Sequence, residues 1–340
     1  MSVPPSAIAS KLRRWVGPVV SLVSLTAVVW WALGQHTPAW PRGASRIGLL
    51  GVAVLAYAAV TALRGVRWHA ILQGAGVPAP MADAQALVVV GYMGNTVLPA
   101  RGGELLRMYF MGERTGSSRI SILGTILAER TLDVLALSGM LVGLALATAA
   151  STHSLLTLWL AVAGALLVLA VALAMLRRAS RAGRLGSRLA SFTLASRNLF
   201  SAQGAMLVAL TVPVWAGEGC IYWLVGRALD MRLGLLACGF LVAISSLAAA
   251  IPAAPGYVGT YDASIQFGLR ALHWHGGQAV GFGLLVRLVI FVPITVLGLG
   301  LVVFRYGGRA SLSPLRRIGA RTAVDVARAE RLAVEPEVVK

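Results

Sequence analysis

The stretch Asn95-Thr96-Val97-Leu98-Pro99-Ala100-Arg101-Gly102-Gly103-Glu104 decides how this chain folds. It closes the apolar run Ala84–Val97, about 14 residues and so roughly 21 Å of helix, well short of a hydrocarbon core of about 30 Å. It carries a helix-breaking Pro99 and the adjacent Gly102 and Gly103, and Arg101 and Glu104 place opposite charges three residues apart. A second stretch, Ile251-Pro252-Ala253-Ala254-Pro255-Gly256-Tyr257-Val258-Gly259-Thr260-Tyr261-Asp262, stands in the corresponding place of the second half. Both read as broken membrane segments that meet near the middle of the bilayer and form the working site. Irregular backbone at that depth is tolerated only where protein or a wet cavity covers it.

The chain around them is built for lipid. It has 340 residues, 58% hydrophobic and only 12% charged, against about 25% charged in soluble domains. Repeated apolar windows of about 20 residues make it an all-α polytopic membrane protein. Lys11, Arg13 and Arg14 precede Val16–Leu33, a run too long for a cleaved signal and read as the first span, with residues 1–15 cytoplasmic. The net charge of +18 belongs to loops that set topology and meet anionic inner-leaflet lipids, not to a nucleic-acid interface. Cys220 and Cys238 lie in apolar surroundings and read as small packed hydrophobes. His273 and His275 offer two metal ligands without a third, and no nucleotide, nucleophile-elbow or metalloprotease motif occurs. No cofactor, metal or catalytic residue is expected.

Topology follows from the arginines. Ile47–Leu63 is span two, returning to a cytoplasmic stretch marked by Arg64, Arg67, Trp68 and His69. If the next region crossed once, Arg107, Arg114 and Arg119 would be external. So would Arg177, Arg178, Arg181, Arg184, Arg188 and Arg197, against the positive-inside rule. A re-entrant hairpin over 84–111 removes the conflict. The charged span Ile120–Ala150 runs outward, Leu155–Leu176 inward, and Ala205–Leu229 outward with a kink at Pro213. Residues 235–272 form a second hairpin opening outward, although parity also admits two full spans. Ala279–Phe304 returns to the cytoplasm, and 305–340 is a basic cytoplasmic tail, an amphipathic helix followed by disorder. The expected fold is six full spans plus two re-entrant helical hairpins in a 4+4 inverted-topology repeat, 16–150 and 155–304. Arg130 follows Pro99 at nearly the spacing at which Arg287 follows Pro255. Paired broken helices at a repeat interface are the pattern of inverted-repeat transporters.

The ionisable residues inside the spans cost about 2.5–3.5 kcal/mol each on insertion scales, so they face a cavity or pair. Glu129, Arg130 and Asp133 share one helix, and Glu218 and Arg287 sit in others. Arg130 and Arg287, from symmetry-related spans, suit a phosphate; ion pairs that lock helices together are the other reading. Arg101 and Glu104 either tie the hairpin tip or face a ligand. Asn95 and Asp262 either satisfy backbone freed at the breaks or face the ligand.

The pattern Asn95-x-x-Leu98-Pro99-x-Arg101-x-Gly103-Glu104-x-x-Arg107, with Glu129-Arg130-x-x-Asp133, Pro255-Gly256-x-x-Gly259 and Arg287, resembles the lysylphosphatidylglycerol synthase transmembrane-region family. Its best-known members form the flippase half of multiple peptide resistance factors. The resemblance implies a lipid translocase fold with a membrane-embedded cavity, and a functional set of Arg101, Glu104, Arg107, Glu129, Arg130, Asp133 and Arg287. It departs in two places. No synthase domain follows Phe304, so the chain is not expected to make lysyl lipid, and Tyr261-Asp262 stands where relatives would carry Glu. The expected function is translocation, in a bacterial-type cytoplasmic membrane, of a phosphate-bearing lipid, phospholipid or polyprenyl-phosphate-linked. The acidic residues would tune the arginines, bind a cationic headgroup or carry protons. A lipid or prenyl-phosphate transferase with Glu129 or Asp133 as base, and a scaffold for a lipid-modifying enzyme, are the alternatives. A homo-oligomer is left open.

Overall fold

The computed structural model describes residues 37–98, 101–152, 202–250 and 255–307. The expected spans Val16–Leu33 and Leu155–Leu176, the six-arginine loop and the tail beyond residue 307 lie outside the described residues. Among the described residues every regular element is helical: α1 (Ala44–Gly74), α2 (Met81–Val97), α3 (Gly102–Thr115), α4 (Arg119–Thr152), α5 (Ala202–Ala228), α6 (Leu235–Ala250), a short 3-10 turn at Pro255–Tyr257, α7 (Thr260–Ala271) and α8 (Gly276–Phe304). Three of them, α1, α5 and α8, are long and apolar enough to cross a membrane. The chain divides into a compact unit ending at Gly298 and a second from Leu299, whose described part is the last turn of α8 and residues 305–307. The site lies in the first unit.

α1 and α5 run antiparallel. Near one end the Arg46 guanidinium is 2.5 Å from the Asp230 carboxylate; further along, Arg67 Nη1 donates to Thr211 Oγ1 at 3.1 Å. The loops around residues 39, 230 and 277 share that first end, where the Ala39 amide donates to the Gly277 carbonyl at 2.8 Å. The core gathers Tyr57 and Val60 of α1, Ile221 and Val225 of α5, Leu241 of α6, Ile265 of α7 and Phe282 and Val286 of α8.

Between these helices lie two helical hairpins of short arms. α2 has 17 residues and α3 has 14; α6 has 16 and α7 has 12. At about 1.5 Å per residue none reaches the ~30 Å of a hydrocarbon core. α2 ends at Val97, where the apolar run closes, and Leu98, before Pro99, has φ −100° and ψ 144°, extended rather than helical. The chain turns back with Arg101 at φ 58°, a left-handed conformation that a side chain adopts at a cost. The arms then close tightly. A Cβ on Gly103 would collide with the Gly91 carbonyl and stand 2.7 Å from Asn95, so only glycine permits this approach. Where the hairpin opens, Arg114 lies 3.7 Å from Asp83. α6 and α7 repeat the design, with Gly268 against Leu241 and Ile244.

One expectation is corrected. Span two does not end at Leu63; α1 continues to Gly74, and Arg64, Arg67 and Trp68 are buried inside the bundle instead of marking a cytoplasmic stretch. Gly65 follows Leu63 without breaking the helix, and acids on α5 and α4 meet the Arg64 and Arg67 guanidinium groups.

Candidate functional site

The two hairpin tips meet. Gly256, in the left-handed conformation at φ 64°, places its Cβ position 3.5 Å from the Thr96 carbonyl. The Arg101 guanidinium stands 6.0 Å from the Tyr257 ring centroid. Beside the junction opens a cavity of about 100 Å³, room for several waters or one headgroup-sized anion. Its wall includes Arg64, Arg101, Arg130 and a single carboxylate, Glu218. Tyr57, Tyr92, Trp215, Tyr257 and Tyr261 supply aromatic surface. Tyr57 and Arg64 lie near the middle of α1, and Trp215 and Glu218 near the middle of α5. The cavity therefore sits about halfway along the two long antiparallel helices.

Behind the wall runs a continuous chain of ion pairs. Arg101 lies 3.6 Å from Glu104. Glu104 accepts from Arg130 Nε at 3.2 Å, and Arg130 Nη1 donates to Asp133 at 3.1 Å. Asp133 also lies 2.8 Å from Arg67, which reaches Glu129 at 3.2 Å. Glu129 in turn accepts from Arg107 at 2.7 Å. Arg107 stacks on Trp68, 4.0 Å to the ring centroid, and the Trp68 indole donates to Thr125 at 3.1 Å. Four guanidinium groups and three carboxylates are thus linked, which offsets a desolvation cost of several kcal/mol per ion and leaves one positive charge in excess. Arg64 pairs separately with Glu218.

The second hairpin holds its own pair. Arg287 forks onto Asp262, Nε to Oδ1 at 2.5 Å and Nη2 to Oδ2 at 2.7 Å, while its Nη1 donates to the Gly256 carbonyl at 2.9 Å. Asp262 Oδ2 also accepts the Gly259 amide at 3.1 Å, half of a capping box. Asp262 and Glu104 are each the third residue of the hairpin's returning helix, and each takes the Nε of an arginine 25 or 26 residues later. Tyr222 joins the elements behind this tip, its hydroxyl 2.6 Å from that of Tyr261 and 2.9 Å from Ser245.

The residues singled out from sequence therefore fall into three places. Arg101, Arg130 and Glu218 line the cavity. Glu104, Arg107, Glu129 and Asp133 form the network behind it. Asn95, Asp262 and Arg287 fasten the tips: Asn95 Oδ1 accepts the Gly103 amide at 3.0 Å, serving freed backbone. Arg287, read with Arg130 as a phosphate ligand or as part of an ion pair, forks onto Asp262 and donates to the Gly256 carbonyl, since an acid at the start of α7 lies within its reach. Arg64, Arg67, Tyr92 and Trp215 were missed. The signal was the excess of acids in apolar segments, since Glu129, Asp133 and Glu218 require counter-charges and the nearest unassigned ones were Arg64 and Arg67.

The lysylphosphatidylglycerol synthase TM region family matches residues 14–298. The chain belongs to that family. It is a multi-pass membrane protein of lipid-related function. A curated relative, the glycosyltransferase AglD of Haloferax volcanii, is 31% identical over 101 residues, 28% of this chain and 16% of that protein. The chain thus spans about a sixth of that relative's length. No solved structure matches.

Proposed function

We propose that this protein translocates a phosphate-bearing lipid, a phospholipid or a polyprenyl-phosphate-linked lipid, between the leaflets of a bacterial-type cytoplasmic membrane. One observation carries the reading: a cavity midway along the long helices, where two half-length hairpins meet, with three guanidinium groups and one carboxylate in its wall. Such a wall attracts an anion and replaces its water with charge-assisted hydrogen bonds. Arg101 is the group best placed to receive it. Its ion pair to Glu104, at 3.6 Å, is the longest link of the network behind the wall, and its Nε is buried without a hydrogen-bond partner. Arg130 adds a second contact and the tyrosines bound the headgroup, while the acyl or prenyl tails stay in the bilayer.

In this reading the hairpins are re-entrant, one from each face, within a 4+4 inverted repeat. The arm lengths and the duplicated acid–arginine pairing support it. Rocking of the halves about the tips would expose the cavity to one leaflet and then the other. Anionic inner-leaflet lipids would meet the basic loops, with both termini cytoplasmic.

Purified protein in liposomes is expected to move fluorescent phospholipid between leaflets, and Arg101→Ala and Arg130→Ala to abolish the movement. Wild-type rates in both variants would remove these residues from the role. The name of the relative from Haloferax volcanii favours a second reading, an intramembrane transferase. A covalently changed lipid detected by mass spectrometry would establish that reading in place of the first. Unaltered lipid distribution with co-purification of a partner enzyme would point to a scaffold.

A further inference from the structure

Glu218 occupies a position that phosphate binding alone does not explain. Among the described residues it is the one carboxylate in a wall with three arginines, and it is paired with Arg64. The Arg64 guanidinium stands between two rings, 5.2 Å from the Tyr92 centroid and 5.6 Å from that of Trp215. The other two arginines of the wall are held from behind. Glu104 serves both Arg101 and Arg130, and Asp133 serves both Arg130 and Arg67. Removing the charge of either acid would strip two pairs. Among the described residues Glu218 has a single ion-pair partner, so its charge is the one that can be lost at the cost of one contact.

We propose that Glu218 is a built-in counter-anion whose protonation releases Arg64 to the incoming phosphate, so that capture of an anionic lipid takes up one proton. This rests on the phosphate-lipid reading of the same cavity. The balance is simple: the carboxylate takes up one proton from bulk solvent, hydronium being left as water, the Arg64–Glu218 ion pair opens, and a phosphate oxygen replaces the carboxylate on Arg64. No covalent bond changes besides the new O–H. Phosphate and carboxylate cannot both occupy Arg64 without like-charge repulsion. An arriving phosphate therefore favours the protonated acid, and by reciprocity the protonated acid favours phosphate. Titratable and charged groups face Glu218 from several elements. Tyr57 and Arg64 face Glu218 from α1, and Tyr222 from its own helix. Tyr261 faces it from α7, with Arg287 of α8 beyond. Tyr92 of α2 and Asp133 of α4 act on Arg64 from its other side. Arg101 and Arg130 share the cavity wall, and α6 contributes the uncharged Ser246 and Ala249 there. Asp133 is paired with two arginines.

The test uses short-chain phosphatidylglycerol, a phosphodiester whose charge does not change across the range, added to the full chain in a phosphate-free detergent. Wild-type affinity, measured by calorimetry between pH 5.5 and 8.5, should tighten on acidification, by at most about tenfold per unit, the limit for binding linked to one proton. Glu218→Gln should flatten the profile near the wild type's acidic level. A double variant, Arg64→Met with Glu218→Leu, removes both charges together and avoids a stranded ion; it should be flat near the wild type's alkaline level. A flat wild-type profile, or a wild-type slope retained by either variant, overturns the proposal. A companion assay in liposomes separates the two ideas. Lipid movement with a flat binding profile leaves translocation standing and removes the proton link. An intact slope without lipid movement upholds the proton link and removes translocation.

Discussion

At the scale of single residues, Arg101 concentrates the chemistry. It holds left-handed backbone that costs a non-glycine residue about 1–2 kcal/mol, and it faces the cavity over the Tyr257 ring. In the proposed reading this strain is offset by the contact Arg101 makes with the headgroup. Arg101→Gly should therefore leave thermal stability unchanged or raise it by up to about 1 kcal/mol, the relief of strain working against the entropy glycine brings to the unfolded chain. Lipid movement should fall at least about tenfold with the loss of a charge-assisted hydrogen bond. A melting curve and a liposome assay on the same preparation check both halves; lost stability together with retained transport would reverse the assignment. Most of these residues were legible, because a charge inside an apolar run is conspicuous in any sequence. Arg64 and Arg67 were not, since they lie at the end of such a run, where arginine ordinarily marks an interface. Only their partners, Glu218 and Asp133, distinguish a buried arginine from a boundary one.

At the scale of elements, the hairpins depend on contact between backbones and on a satisfied charge network. Gly103→Ala should destabilise the protein by about 1–3 kcal/mol, the range for forcing an extra methyl into a filled contact, read as a lowered melting temperature. Arg67 is a stronger case. It is fully buried between Glu129 and Asp133, so Arg67→Met should cost about 3–5 kcal/mol by leaving acids undercompensated. Arg119→Ala, which breaks a half-exposed pair with Glu113, should cost about 1 kcal/mol or less. Equal losses in the two variants would show that the network is not what holds α4 in place. Helix breaks at this scale were readable from Pro99, Gly102 and Gly103. The pairing of Glu104 with Arg130 and of Asp262 with Arg287 was not, because spacing along the chain does not say which acid an arginine turns towards.

At the scale of the whole molecule, topology is the measurable quantity. Single cysteines at Ala79 and Ser117 flank the first hairpin, whose open end is closed by Asp83 and Arg114. Cysteines at Asp230 and His273 flank the second. In a Cys220→Ala, Cys238→Ala background, a membrane-impermeant thiol reagent applied to whole cells should label positions 230 and 273. It should reach 79 and 117 only after the cells are opened. Labelling of 79 and 117 from opposite faces would mean that the first hairpin crosses the membrane.

The junction of Arg64 with Glu218 also bears on how the protein is made. The links among Arg67, Arg107, Glu129 and Asp133 all lie within the first 133 residues, so they can form while the ribosome is still synthesising the remainder. Arg64 has no such early partner among them, and its carboxylate arrives more than 150 residues later. Until then a lone guanidinium must be sheltered in the bilayer, at a penalty of about 2.5–3.5 kcal/mol. The nascent first half is thus left dependent on the insertion machinery for as long as α5 takes to emerge.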